Sequence, residues 1–377
     1  VKRNLLLAAF AVVIALILVE LVLRTTHLFN ARLSWTQPDP EIAWCFTPGR
    51  AYRFLNENDH AITGRINALG WRDRERDRTK RVDTRVAVVG DSYVEAFQVE
   101  LDSTFGAVAE RTLQARGART WEFMSFGRSG MGSAEERIVL QRDVLPCAPD
   151  VVVLLFAPIN DIADAARATV GDAARPFYVA DERDSLVLDT SFKQARGYRV
   201  RALLNPLRQR SVLVSLVMER YRAARFERAL RAAEREAASS PNQLTALESL
   251  MTSHPDPMFL ASYALAKRIV RETARECAPH AAFVLMSVPV AYEDADVAEL
   301  RAREGTFDPD FFDRDLAAMA DTAGFAFIPL TEAFAKRSRE IRSRLHWAHW
   351  NYAGHRLVGE TLADTISALW PPPDLRE

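Results

Sequence analysis

The 377-residue chain predicts an α/β protein, a three-layer sandwich around a mostly parallel five-stranded sheet, preceded by an apolar N-terminal helix and interrupted by a helical insertion. Three observations lead there. Five short apolar runs bounded by breakers recur beyond residue 85, each the length of a strand buried on both faces. Stretches with helical period alternate with them, and 49% hydrophobic with 26% charged residues is a globular composition, which excludes disorder and collagen-like repeats.

The first element is the apolar run over residues 5–23, 19 residues with one charge, Glu20, and no Pro or Gly. At about 1.5 Å per residue it spans roughly 28 Å, close to the ~30 Å hydrocarbon core of a bilayer. A cleaved signal peptide has a shorter apolar stretch followed by a small-residue site, and Arg24, Thr25, Thr26, His27 and Leu28 offer none. Residues 1–30 are therefore expected to be an uncleaved single-pass anchor. Lys2 and Arg3 favour a cytoplasmic N-terminus with the remainder outside, on the periplasmic face of a bacterial inner membrane, although Arg24 and Arg32 weaken the asymmetry. A buried core helix is the alternative, disfavoured by the polar linker that follows.

Residues 31–84 read as an irregular, Pro-containing lead-in whose final charge run, 71–85, suits a solvated connector. The body covers 85–370. Strands are predicted at 86–89, 121–126, 151–157, 282–288 and 325–328, and helices at 104–116, 134–144, 259–277, 311–323 and 353–370. An insertion at about 163–257 breaks the alternation with a hairpin at 176–192 and a basic helix at 212–238, expected to cover the sheet's ligand edge or a membrane surface. In that helix Leu213, Leu216, Val217 and Tyr221 form an apolar stripe among Arg220, Arg222, Arg225, Arg228 and Arg231, which suits packing on its own domain better than lying in a lipid interface. Residues 371–377 are a tail.

Forty-nine Lys and Arg against 50 Asp and Glu give no reason to expect a nucleic-acid partner. Cys45, Cys147 and Cys277 lie far apart with neither metal-ligand nor disulfide-framework spacing. No cofactor or metal is expected. His346 and His349 have i, i+3 spacing, but no third zinc ligand is evident.

The sharpest chemical signal is the first buried strand running into Gly90-Asp91-Ser92, which puts a serine hydroxyl at the strand's C-terminal edge, where open α/β sheets bind ligands. Most serines so placed cap a helix, and the tripeptide alone proves little. The second strand leads into Ser125-Phe126-Gly127-Arg128-Ser129-Gly130 and the third into Pro158-Ile159-Asn160-Asp161, both of which also suit ordinary turns. Near the C-terminus comes His349-Trp350-Asn351-Tyr352-Ala353-Gly354-His355.

In this order the four blocks resemble the SGNH hydrolase superfamily, also called GDSL esterases and lipases, with a flavodoxin-like sheet, over about 85–370 without the insertion. The resemblance implies Ser92 as nucleophile, His349 as general base, and Gly130 (backbone N–H), Asn160 (side-chain amide) and the N–H of Ser92 as oxyanion donors. Asp91, Asp161 and His346 are candidate supporting residues, and Asn351 and His355 suit supports of the final helix. Residues 66–73 also resemble the lead-in of membrane-tethered bacterial members.

One departure stands out. The family's aspartate two or three residues before the catalytic histidine is replaced by His346 and Trp347, with no carboxylate between Glu340 and His349. A backbone carbonyl or a distant carboxylate could orient His349, His346 could do so, or catalysis could be weak; the first is expected, because a neutral imidazole stabilises an imidazolium poorly. The resemblance implies an esterase acting on an acylated small molecule, lipid or polysaccharide. An O-acyltransferase acting on polysaccharide, or a non-catalytic carbohydrate-binding relative, remains open.

Overall fold

The computed structural model describes residues 1–117, 119–171, 173–239 and 244–370; the expected tail lies outside them. Helix α1 (Lys2–Thr26) is long and apolar enough to cross a membrane, and among its buried residues is Leu23 near its end. Two antiparallel hairpins follow, β1 (Thr36–Asp39) with β2 (Ala43–Phe46) and β3 (Ala51–Leu55) with β4 (Ala61–Arg65). The lead-in is thus ordered rather than irregular. Its aromatics condense on one side chain from the body: Trp35, Phe46, Tyr52 and Phe54 all pack against Phe97.

The charge run also differs from a solvated connector. Arg72 is 2% exposed and Arg85 1%. Arg85 ties the foot of the first body strand to the carbonyls of Arg78, Cys147 and Asp77 and to Glu122. Arg72 donates to Tyr52 Oη and to the carbonyls of Glu95, Ala96 and Val99. A guanidinium carries five donors in a fixed fork, so one buried arginine can satisfy several carbonyls that would otherwise be stranded.

Then comes the body: β5 (Thr84–Gly90), α2 (Ser92–Glu95), α3 (Phe105–Ala115), β6 (Trp121–Gly127), α4 (Ser133–Val139), β7 (Val151–Phe156) and α5 (Pro158–Asp161). The insertion contributes the hairpin β8 (Phe177–Ala180) and β9 (Leu186–Asp189), then α6 (Arg196–Arg208), α7 (Val212–Ser239) and the short α8 (Ala246–Ser249). Helix α9 (Pro257–Cys277), β10 (Ala282–Ser287), α10 (Asp294–Arg303), α11 (Phe311–Ala323), β11 (Ala326–Ile328), α12 (Thr331–Ile341) and α13 (Tyr352–Leu369) complete the chain.

The central sheet has five strands, all parallel, in the order β11-β10-β7-β5-β6. Alternation along each strand sorts its side chains between two layers of helices. Val86, Val88, Val153 and Leu155 face α3, α12 and α13 through Phe105, Leu113, Phe334 and Leu362, whereas Ala87, Val89, Val152 and Leu154 face α4, α9 and α11 through Val139, Ala266, Val270 and Leu316. This is the predicted three-layer sandwich.

The insertion reaches the ligand edge at its start, where Arg175 donates to the Gly130 carbonyl, and Glu219 and Arg222 of α7 line a cleft shared with Glu95 and Ser129. Its hairpin packs on the flank of α4 and α9, with Tyr178 against Ala134 and Ile269 and the Arg137 guanidinium 4.5 Å above the Tyr178 ring. Helix α7 packs by its first turns, where Val212, Leu213 and Leu216 meet Leu23, Ala31 and Leu33, while Val217 and Tyr221 of the expected stripe stay exposed. Its start is capped by α1: the Glu20 carboxylate accepts from Ser211 Oγ and from the N–H groups of Val212 and Leu213.

Candidate active site

Strands β5, β6 and β7 are in register, Gly90 opposite Gly127 and Val89 opposite Leu154, so the loops that follow them leave the sheet at one edge. Beyond β5 the chain turns at once into α2. Asp91 caps that helix by accepting from the Tyr93 N–H at 3.0 Å, which leaves Ser92 at the helix start with its hydroxyl at the sheet edge. Gly127 makes this close seating possible, since a Cβ there would lie 2.2 Å from the Glu95 nitrogen.

His349 reaches Ser92 from a tight loop ahead of α13. The Trp347 N–H donates to the His349 carbonyl at 2.7 Å, the Asn351 N–H to the Leu345 carbonyl at 3.0 Å, and fully buried Trp350 pins the loop to Phe105, Tyr93 and Phe334. Asn351 caps α13 by accepting from the N–H groups of Ala353 and Gly354. The imidazole Nε2 lies 2.9 Å from Ser92 Oγ, and Nδ1 lies 3.0 Å from Glu57 Oε1. This pattern puts the neutral ring's proton on Nδ1, donated to Glu57, and leaves Nε2 to accept from the serine.

The carboxylate that faces His349 is Glu57, and it comes from the lead-in. It sits in the turn between β3 and β4, held by Asn56, whose Oδ1 accepts from the N–H groups of Asn58 and His60 while its Nδ2 donates to the Gln98 carbonyl. The turn is thereby tied to the segment that follows α2. The Glu57 and His349 side chains are 25% and 29% exposed, so the pair is shielded but not sealed from water.

Asn160 projects from α5 beside the same edge. Its Nδ2 donates to Asp91 Oδ2 at 2.5 Å, which fixes the amide and leaves its second N–H for another acceptor. Burial pushes the Asp91 carboxyl upward, while bonds from Tyr93 and Asn160 pull it down. Gly130 lies in the loop after β6 with φ +68°, a left-handed conformation natural to glycine. That loop is braced from both sides: Glu95 accepts from the Ser129 N–H at 2.8 Å and from the Ser129 hydroxyl, and Arg175 donates to the Gly130 carbonyl. Burial pushes Glu95 up to about 7.

The other expected supports stand elsewhere. Asp161 accepts from the Ala157 N–H at 2.6 Å and the Ser133 hydroxyl at 3.0 Å, shaping the turn that carries Asn160. Desolvation, with repulsion from Asp91, holds Asp161 well above the usual range, and desolvation with repulsion from Asp161 and Asp91 does the same for buried Glu136. His346 is committed away from His349: its Nδ1–H donates to the Trp347 carbonyl at 2.9 Å and its ring stacks on Tyr292 at 4.3 Å. His355 is buried against Phe105 and Trp350, and desolvation drives it down to about 3, so it is a neutral core side chain. Among the described residues no cluster of His, Cys, Asp and Glu could hold a metal ion.

Sequence reasoning missed Glu57 by residue, and with it Arg72, Glu95 and Arg175. The available signal was the hairpin pattern around Asn56, Asn58 and Asp59, flanked by Tyr52, Phe54 and Ile62.

No family model and no curated protein matches the chain in sequence. Solved structures that it is similar to include Axe2, an acetylxylan esterase from Geobacillus stearothermophilus, at 14% identity and TM-score 0.40 over 75% of this chain and 94% of that one. Another is LAE5, an alpha/beta hydrolase enzyme from the metagenome of Lake Arreo, Spain, at 16% identity and TM-score 0.40 over 77% and 98%. A lipolytic protein of the G-D-S-L family from Desulfitobacterium hafniense matches at 9% identity and TM-score 0.36 over 75% and 99%.

Proposed function

We propose that the chain is a serine esterase of the SGNH type, held at a membrane by α1, with Ser92, His349 and Glu57 as its triad. The observation that carries this is the continuous hydrogen-bonded relay from Ser92 Oγ through both nitrogens of His349 to Glu57 at the ligand edge of the parallel sheet. In the reaction Ser92 Oγ attacks the ester carbonyl carbon as its proton passes to His349 Nε2. The carbonyl oxygen becomes an oxyanion facing the N–H groups of Ser92 and Gly130 and the free amide N–H of Asn160; one such donor is typically worth about 3 kcal/mol. Collapse breaks the ester C–O bond, and the leaving alcohol takes the proton from His349. Water, deprotonated by the same nitrogen, then attacks the acyl-serine; the acid departs and Ser92 regains its proton. Glu57 stabilises the imidazolium in both halves.

A cleft of about 380 Å³, lined by Trp35, Trp44, Phe54 and Phe97 with Glu95 and Ser129 at its edge, adjoins the oxyanion loop and suits the apolar or sugar portion of an ester. The test is hydrolysis of p-nitrophenyl acetate and a longer homologue by the full chain in neutral detergent, with fluorophosphonate labelling. Wild type should turn over and label, and Ser92→Ala should lose at least ~10⁴-fold in turnover together with the label. Labelling of Ser92→Ala equal to wild type would refute the assignment. Comparing acyl release with and without a polysaccharide acceptor separates hydrolysis from transfer.

A further inference from the structure

Many arginines face carboxylates: Arg74 and Arg76 of the lead-in meet Glu110, and in the body Arg137 meets Glu276 and Arg175 meets Glu135 and Asp164. A pocket near the membrane end of the molecule contrasts with these pairs. An open pocket of about 520 Å³ at the foot of α1 is lined by Arg24, His27, Arg32, Arg50 and Arg65 and by no carboxylate among the described residues. Arg24 pairs with Glu20. Arg50 donates to the side chain and carbonyl of Gln209, and Arg65 to the Gly49 carbonyl, both neutral acceptors that leave the positive charge uncompensated. Arg32 is exposed and borders the pocket from the linker.

The pocket's height along α1 identifies its occupant. The apolar run ends at Leu23, Arg24 is the next residue, and His27 follows within one helical turn. If the run fills the hydrocarbon core, the pocket opens in the headgroup layer, several ångströms thick on each side, where phosphates lie. Three guanidiniums without a carboxylate partner line the pocket at that depth, an excess of positive charge and N–H donors that suits the acceptor oxygens of a phosphate anion. Resting on the reading of α1 as an anchor, we infer that this pocket binds the phosphate headgroup of an anionic phospholipid and so fixes the body's orientation on the membrane. Because Arg50 and Arg65 flank β3 and β4, whose far turn carries Glu57, the lipid would grip the base of the hairpin that supplies the triad's acid.

The experiment uses full-length protein in neutral detergent, with thermal unfolding followed as phosphatidylglycerol, phosphatidylcholine or inorganic phosphate is added. Phosphatidylglycerol should raise Tm saturably, by roughly 2–4 °C, with phosphatidylcholine and phosphate inert. The double variant Arg32→Gln/Arg65→Gln should abolish the rise, and Arg220→Gln/Arg228→Gln, which removes equal charge from exposed positions on α7, should keep it. An equal rise with inorganic phosphate would overturn the lipid assignment. So would a response retained by the pocket variant, or lost equally by the α7 variant. Flotation with phosphatidylcholine vesicles tests the anchor separately: a chain that does not float overturns both readings, while one that floats without a phosphatidylglycerol response overturns the pocket alone.

Discussion

The central sheet and the lead-in reach the same site by opposite routes. Strands β5, β6 and β7 deliver Ser92, Gly130 and Asn160 because parallel strands in register end at one edge, so backbone periodicity does the placing. The lead-in delivers Glu57 across 292 positions of sequence from His349, through a hairpin whose position depends on aromatic packing around Phe97 and on the four hydrogen bonds of Arg72. In the proposed triad, then, nucleophile and oxyanion donors are built into the sheet, whereas the acid is an attachment held by tertiary contacts.

The largest test of that difference is Glu57→Gln. It keeps the turn but removes the charge, and kcat should fall between ~10²- and ~10⁴-fold while Tm changes little. An unchanged kcat would mean that the attachment is ornamental. Next, Gly130→Ala forces a Cβ onto a residue with φ +68°, at a cost of about 1–2 kcal/mol, and by disturbing the oxyanion loop should lower kcat by about 10- to 10²-fold. A loss confined to stability would place the third donor elsewhere.

A gentler effect concerns pH. Burial raises Glu95 to about 7 in the folded protein, above the usual carboxylate range near 4.5. The folded state therefore holds a proton that the unfolded chain has released, and this contribution to stability is full below about 4.5 and lost as pH rises through about 7. Glu95→Gln should flatten the slope of unfolding free energy over that window; an identical slope would mean that another group titrates there. The smallest effect is expected of His346→Ala, within about threefold of wild-type kcat, because its ring serves Tyr292 and the Trp347 carbonyl; a loss comparable to Glu57→Gln would reverse the ranking.

These expectations also mark what the sequence could disclose. The five strands announce themselves because a strand buried on both faces must be continuously apolar, and the residues after β5, β6 and β7 inherit their address from that. The approach of His349 to Ser92 followed only from a resemblance of residue order. Glu57 carried no local mark of its role, since a glutamate in a polar turn looks like any solvated side chain. Arg72 and Arg85 were misjudged for a related reason: a run of charges reads as surface, and only the folded chain shows carbonyls gathered around each guanidinium. The insertion was legible as a hairpin and a basic helix, but not its placement, because nothing local says that α7 is capped by Glu20.

The hairpin of β3 and β4 has a consequence for proteolysis. A cut between α1 and β1 would free the body with Glu57, His349 and Ser92 intact. A cut in the stretch between β4 and β5 would leave an intact sandwich from which the acid can drift away, its remaining hold being the Asn56 and Arg72 contacts and the aromatic cluster. On the proposed triad, cleavage site alone would thus decide whether shedding yields a diffusible active fragment or a silent one.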